Sequence, residues 1–141
     1  MMRSVDIVIP VYNAPEDVRI CVDAVLAHTP GGHRITLIDD ASPDPAVAPL
    51  LAAIAAPAPD RVTLLRNAVN LGFTGTANRG MDLSRNDVVL LNSDTIVAPG
   101  WLDALVRFPD DYATIGTITT FSKNAEILSF PEFCVNNPWP D

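Results

Sequence analysis

Short apolar runs alternate with longer amphipathic stretches along this chain. Val5-Asp-Ile-Val-Ile-Pro-Val11, Ile35-Thr-Leu-Ile38 and Val62-Thr-Leu-Leu65 are rich in β-branched and aliphatic residues, and the stretch Val88–Val97 opens with Val88-Val-Leu-Leu91. Nearly continuous runs of this kind predict strands covered on both faces, as in a parallel sheet. The fourth run is expected to be central and buried on both sides. Pro10 has no N–H to give a ladder, so pairing of the first strand is expected to end there.

Helical spacing fills the gaps. Val18, Cys21, Val22, Val25 and Leu26 recur at i, i+3, i+4, i+7 and i+8, which is one helical face. Asn13 with Glu16 reads as a capping box, Pro15 suits the first turn, and Thr29-Pro-Gly-Gly32 ends the helix. Asp44-Pro45 reads as an N-cap with proline at N1. Val47, Leu50, Leu51 and Ile54 form the next stripe, and Pro57-Ala-Pro59 stops it. A glycine-rich loop, Asn67 to Gly75, leads into a short helix from about Thr76 to Leu83. Pro99-Gly100 turns the chain into a fourth helix with Leu102, Leu105 and Val106 on one face. Ile115 to Ile118 reads as a fifth strand. The alternation predicts right-handed βαβ units and a mostly parallel, doubly wound α/β sheet with helices on both faces. Residues 1–120 are expected to form this domain, and 121–141 an irregular tail.

Bulk properties narrow the function more than the fold. At 141 residues the chain suits one domain. That size buries about 68–70% of the unfolded surface, so no staples are needed. A formal net charge of −8 argues against nucleic acid, which is bound by basic patches. It leaves room for a nucleotide bridged by a cation. Two cysteines make no disulfide framework, and Cys134 falls in the tail, so a reducing compartment is expected. No apolar run reaches the length of a membrane span, and no signal-peptide core precedes the first strand. The expected location is the cytoplasm, with peripheral attachment to the inner membrane face as the alternative.

Polar residues collect after each strand: Tyr12 and Asn13, Asp39 and Asp40, Asn67 and Asn70, Asn92 and Asp94. In a parallel sheet all four clusters lie along the carboxyl edge, where open α/β sheets bind ligands. Asp94 is a hard oxygen donor suited to Mg²⁺ or Mn²⁺, though Asn92 or Asp94 can equally start a turn. Asp40 is placed to accept from a ribose hydroxyl or a base N–H. A helix-start carboxylate favoured by the macrodipole is the competing role for Asp39-Asp40. Gly72 and Gly75 allow close backbone approach or simply a flexible turn. No G-x-G-x-x-G follows the first strand, which argues against a dehydrogenase, and no P-loop lysine motif or G-x-S-x-G is present. His28 and His33 read as surface residues. Trp101 and Trp139 read as packing residues.

Taken together, Ile9-Pro-Val-Tyr-Asn13, Ile38-Asp-Asp-Ala-Ser42, Asn70-Leu-Gly-Phe73 with Asn78-Arg-Gly80, and Leu91-Asn-Ser-Asp-Thr95 with Pro99-Gly-Trp-Leu102 resemble family 2 glycosyltransferases of the GT-A fold. Gly116-Thr-Ile-Thr-Thr-Phe-Ser-Lys-Asn-Ala125 is similar to the segment after the metal motif in some bacterial members. The order and spacing agree over nearly the whole chain. The resemblance implies that Pro10, Tyr12, Asn13 and Asp40 hold a nucleoside, with Asn70, Gly72, Asn78, Asn92 and Ser93 completing the donor-nucleotide site. It implies that Asn92-Ser93-Asp94 stands for the family's D-x-D motif. Asp94 would be the direct ligand of Mn²⁺ or Mg²⁺ and Asn92 a weaker partner. It further implies an inverting transfer from a UDP- or dTDP-sugar to a glycan or lipid-linked acceptor, in the building of a bacterial cell-wall polysaccharide. The family's catalytic base lies downstream of the metal motif. Beyond Asp111 only Glu126, Glu132 and Asp141 are acidic, so the chain is expected to be a donor-binding, amino-terminal portion lacking a complete catalytic apparatus. A missing half would leave an uncovered sheet edge, hence an expected homodimer. The competing classes are a nucleotide-binding or interaction module that transfers no sugar, and a phosphoacceptor signalling domain. The second wants an Asp after its third strand, where Arg66-Asn67 stand.

Overall fold

Four parallel strands carry the molecule, and their order explains where the ends open. The computed structural model describes residues 4–111, 114–120, 122, 132 and 135–138. Its contacts fall into two compact units, Met1–Val106 and Arg107–Asp141. In the first, β1 (Val5–Val11), β2 (Arg34–Asp39), β3 (Val62–Arg66) and β4 (Asp87–Leu90) form one sheet ordered β3-β2-β1-β4. All three pairings are parallel. The helices are α1 (Pro15–His28), α2 (Val47–Ala55), α3 (Gly72–Leu83) and α4 (Trp101–Asp111).

The expected helix stripes are the observed core. Val18, Cys21, Val22 and Val25 of α1, Val47 and Leu51 of α2, and Leu102 of α4 pack with Ile7, Ile9, Val11, Ile35 and Leu37 on one face of the sheet. Strand side chains alternate, so Val8 and Ile38 point to the other face, where α3 lies. There α3 comes so close that a Cβ on Gly80 would collide with Val8 Cγ1 and sit 3.1 Å from Ile38 Cδ1. Helices therefore cover both faces, as in a doubly wound sheet. On β1, buried Asp6 accepts from the Arg85 N–H and from Asn86 Nδ2, each at 3.2 Å, and ties the α3–β4 turn to the sheet.

Several expectations need correction. β4 is not central: among the described residues it is an edge strand, with Val88 and Val89 half-buried and Leu90 40% exposed. Its apolar run reflects a strand whose outer side meets no described neighbour. Pairing of β1 does not stop at Pro10 but continues with β2 to Val11↔Asp39. The Val8 carbonyl accepts from the Leu91 N–H, so Val8, and Pro10 two residues on, face the β4 side. The missing N–H thus falls past the last β1–β4 pair, Val8↔Leu90, where nothing needs it. Residues 115–118 form no strand; Gly116 and the flanking threonines leave only two apolar anchors. His33 is buried, because the Gly31-Gly32 turn folds it under the start of β1, where Nδ1 accepts the Val5 N–H at 3.3 Å. Burial and nearby Arg61 push its pKa down, against Asp103.

Local caps also differ. Asn13 and Glu16 make no capping box: Ala14 is the N-cap of α1, and no side chain caps it. Asn13 Oδ1 instead accepts from the Asp44 N–H at 3.2 Å, and the Asn13 N–H donates to Ser42 Oγ at 3.0 Å. These bonds lash the loop after β1 to the loop after β2. Asp44 does not cap α2 directly; it accepts from the Ala46 N–H in the turn before the helix. Helix α3 starts at Gly72 rather than Thr76, for a reason that belongs to the site. Cys134, Trp139, Glu126 and Asp141 lie outside the described residues.

Candidate functional site

The carboxyl ends of β1, β2 and β4 surround a cleft of about 420 Å³. It sits beside the point where the strand order reverses, between β1 and β4, which is where doubly wound sheets take ligands. Pro10, Val11, Tyr12, Ala14 and Asp17 line it from β1 and α1. Asp40 lines it from β2, Asn70, Gly72 and Phe73 from the start of α3, and Asn92, Ser93 and Asp94 from beyond β4.

Asp40 is the most constrained of these. Its residue surface is 4% exposed. Oδ1 accepts from Asn67 Nδ2 at 2.6 Å and from the Leu71 N–H at 2.8 Å. Burial pushes the carboxyl pKa up, but the Leu71 N–H, Asn67, Thr76 and the Gly72 N–H outweigh it, and the net shift is downward. Asp40 is therefore a held anion. The same bonds explain where α3 begins. Asp40 takes the Leu71 N–H and Asn70 Oδ1 takes the Gly72 N–H at 2.8 Å, so two donors of the first turn are satisfied four residues before Thr76. Gly72 has φ +72°, a conformation an L side chain resists. Asp39 turns away from the cleft: Oδ1 accepts the Ser42 N–H at 2.9 Å, and Arg66 Nη1 lies 3.3 Å from Oδ2 without hydrogen-bond alignment.

The loop after β4 is built differently. The Thr95 N–H donates to the Asn92 carbonyl at 3.1 Å, closing a turn. The buried thiol of Cys21 donates to the same carbonyl at 3.5 Å, and burial raises its pKa to about 11. Asn92 and Asp94 are exposed and Ser93 is half-buried. Of the residues singled out in the sequence, Pro10, Tyr12, Asp40, Asn70, Gly72, Asn92, Ser93 and Asp94 meet at the cleft. Asn13 acts in the loop behind it, and Asn78 is exposed on α3 and does not line it. Sequence reasoning missed Asp17, Phe73 and the support of Asp40 by Asn67 and Thr76. Asp17 carried a usable signal, since the first turn of α1 follows directly on the carboxyl end of β1.

Among the described residues the lining holds three carboxylates, Asp17, Asp40 and Asp94, and no lysine, arginine or histidine. A bare diphosphate would be repelled there. Among the described residues no group of three or more His, Cys, Asp or Glu is arranged to cage a metal. This donor set fits a hard cation held by one or two carboxylates, with phosphate oxygens and water completing its shell. No helix among the described residues is long and apolar enough to cross a membrane.

Comparison with known proteins agrees with this geometry. The fold is similar to that of a mannosyltransferase, PcManGT, from Pyrobaculum calidifontis in complex with GDP-Man and Mn²⁺, with TM-score 0.73 and 19% identity over 88% of this chain and 36% of that one. It is similar to GalNAc-T7 with UDP, GalNAc and Mn²⁺, at TM-score 0.70 and 22% identity over 79% of this chain and 21% of that one. It is also similar to S. aureus TarS 1-349, at TM-score 0.64 and 16% identity over 78% and 33%. The chain thus spans about a third or less of the length of these solved proteins. No curated protein sequence matches it significantly. The model of glycosyl transferase family 2 matches residues 6–130, and the chain belongs to that family.

Proposed function

We propose that this chain binds the nucleotide-sugar donor of a metal-assisted glycosyltransferase. The observation that carries the reading is the cleft itself, which brings an anchored carboxylate, Asp40, and an exposed one, Asp94, to one cavity from different strand ends. Asp40 receives a donor hydrogen from the nucleoside. Tyr12 and Phe73, both exposed at the rim, offer ring faces beside it. Asp94, with Asn92 as a neutral partner, holds Mn²⁺ or Mg²⁺ on the diphosphate. When bound, the cation neutralises charge that develops on the departing nucleoside diphosphate. The acidic lining supports this need for a cation, because the described residues supply no positive side chain there. The acceptor is a glycan or lipid-linked sugar, transfer inverts the anomeric centre, and this chain alone supplies the donor half.

A thermal-shift panel of UDP, dTDP and GDP, each with and without Mn²⁺, tests the reading. A ligand at a hundred times its dissociation constant stabilises by about 2.7 kcal/mol. That moves the midpoint of a chain this size by roughly 2–8 °C. The expected result is a shift that requires Mn²⁺ and is lost in Asp94→Ala. No shift with any nucleotide, from folded protein, would favour a module that binds no nucleotide. Sugar transfer by the chain alone would overturn the donor-half assignment.

A further inference from the structure

We infer that Asp17 is a specificity-determining residue that makes the cleft refuse a diphosphate carrying no cation, by cancelling the pull that the start of α1 would otherwise exert on it. This rests on the reading of the cleft as a donor site. Ala14 and Asp17, both at the start of α1, line the cleft. Ala14 is the N-cap, and no side chain caps the helix. A helix start of this kind presents free N–H groups and a partial positive charge, which ordinarily attract phosphate. Asp17 sets a full negative charge in that same turn, on the wall of the same cavity.

The charges of the other two lining carboxylates are answered within the site. Asp40 accepts from Asn67 Nδ2 and the Leu71 N–H, and Asp94 is the cation's ligand in the proposed function. Asp17 has no such partner. It is exposed, and among the described residues it makes no hydrogen bond or ion pair. Arg19, the basic side chain nearest to it in sequence, instead meets Glu16 at 3.0 Å and Asp23 at 3.5 Å. Neither of those acids lines the cleft. A free nucleoside diphosphate brings several negative charges to this wall, and like charges repel there. A divalent cation removes much of that repulsion and is itself drawn by Asp17. The admitted class is therefore a diphosphate bridged by a divalent cation, and the refused class is free phosphate esters. Selection comes from repelling the wrong form rather than from an added contact to the right one.

Calorimetric titration of the full chain with UDP and with GDP, each in Mn²⁺ and in EDTA at low salt, tests this. The wild type should bind at least one of them in Mn²⁺, and at least about tenfold more weakly in EDTA. In Asp17→Asn the affinity in EDTA should rise several-fold, so the Mn²⁺-to-EDTA ratio falls, and Asp17→Lys should lower the ratio further. Glu16→Gln changes the charge of the same turn by the same amount outside the cleft and should leave the ratio near that of the wild type. Added salt should shrink the difference between wild type and Asp17→Asn, because it screens exposed charges. A ratio unmoved by Asp17→Asn, or moved as far by Glu16→Gln, would overturn the role of Asp17. So would a ratio that falls only because affinity in Mn²⁺ drops, which would make Asp17 a ligand of the cation. Equal binding in Mn²⁺ and EDTA would overturn the inference from wild-type protein alone, even where a variant does not fold. Failure of the wild type to bind either nucleotide in Mn²⁺ would overturn the donor-site reading as well.

Discussion

The two sides of the cleft are held in opposite ways. At the end of β2, Asp40 is buried and anchored by Asn67 and the first turn of α3 before any ligand arrives. At the end of β4, Asn92 and Asp94 are exposed, and the loop is tied by a turn and one thiol contact. The first side has its geometry fixed by folding, so it discriminates. The second leaves its charge open to solvent, so it gains from whatever cation and phosphate complete it.

Substitution should separate the two sides sharply. Asp40→Ala removes the acceptor shared by Asn67 Nδ2 and the Leu71 N–H; Asn67 keeps Thr76 and Leu71 is near solvent, so a loss of roughly 1–3 kcal/mol is expected. Asp94→Ala removes an exposed carboxylate and should stay within about 0.5 kcal/mol of wild type. Urea denaturation of the pair checks both values. Equal losses would erase the contrast.

A titration gives a smaller effect and sets the cleft apart from the opposite end of the sheet. His33 has its pKa lowered on folding, so the native state binds fewer protons than the unfolded chain. Its contribution to stability is complete above the unfolded value of about 6.5 and is lost as pH falls below it. Asp40, also lowered, contributes fully above the unfolded value of about 3.9 and loses that contribution only in stronger acid. Stability measured against pH should fall in two steps. His33→Gln should remove the upper step and leave the lower one, and a single step in wild type would contradict the assignment.

The smallest expected change is at Ala41, next to Asp40, which sits at φ +55°. A left-handed alanine costs about 1–2 kcal/mol. Glycine relieves that but loses about 0.5–1 kcal/mol through the freer unfolded chain. Ala41→Gly should therefore raise the thermal midpoint by a small margin. A drop would mean that the Ala41 methyl contributes packing on the anchored side.

The contrast also tracks what could be read from the residues alone. The stripes of α1 and α2 follow from apolar residues spaced three or four apart, and the four strands from short continuous apolar runs, because both are local patterns. Asp94 and Asp40 stood out as acids after strands. The partners of Asp40 did not, since Asn67 and Leu71 lie 27 and 31 residues away and meet it only once β2, β3 and α3 are assembled. The same holds for Asn13, whose apparent helix cap was taken by the loop after β2, and for His33, buried by a glycine turn. The edge position of β4 was invisible because an apolar run marks a strand but does not state which strands pair beside it.

Pro10 gives the cleft its dimension. β1 pairs with β4 as far as Val8 but with β2 as far as Val11, three residues further (11 − 8 = 3). At about 3.3 Å per residue the sheet margin carries a step of roughly 10 Å. The proline sits within that step, with no donor for an adjoining strand to take up. A β4 that slid forward to fill the gap would find no hydrogen there, so the notch is written into the backbone and persists whether or not a ligand occupies it.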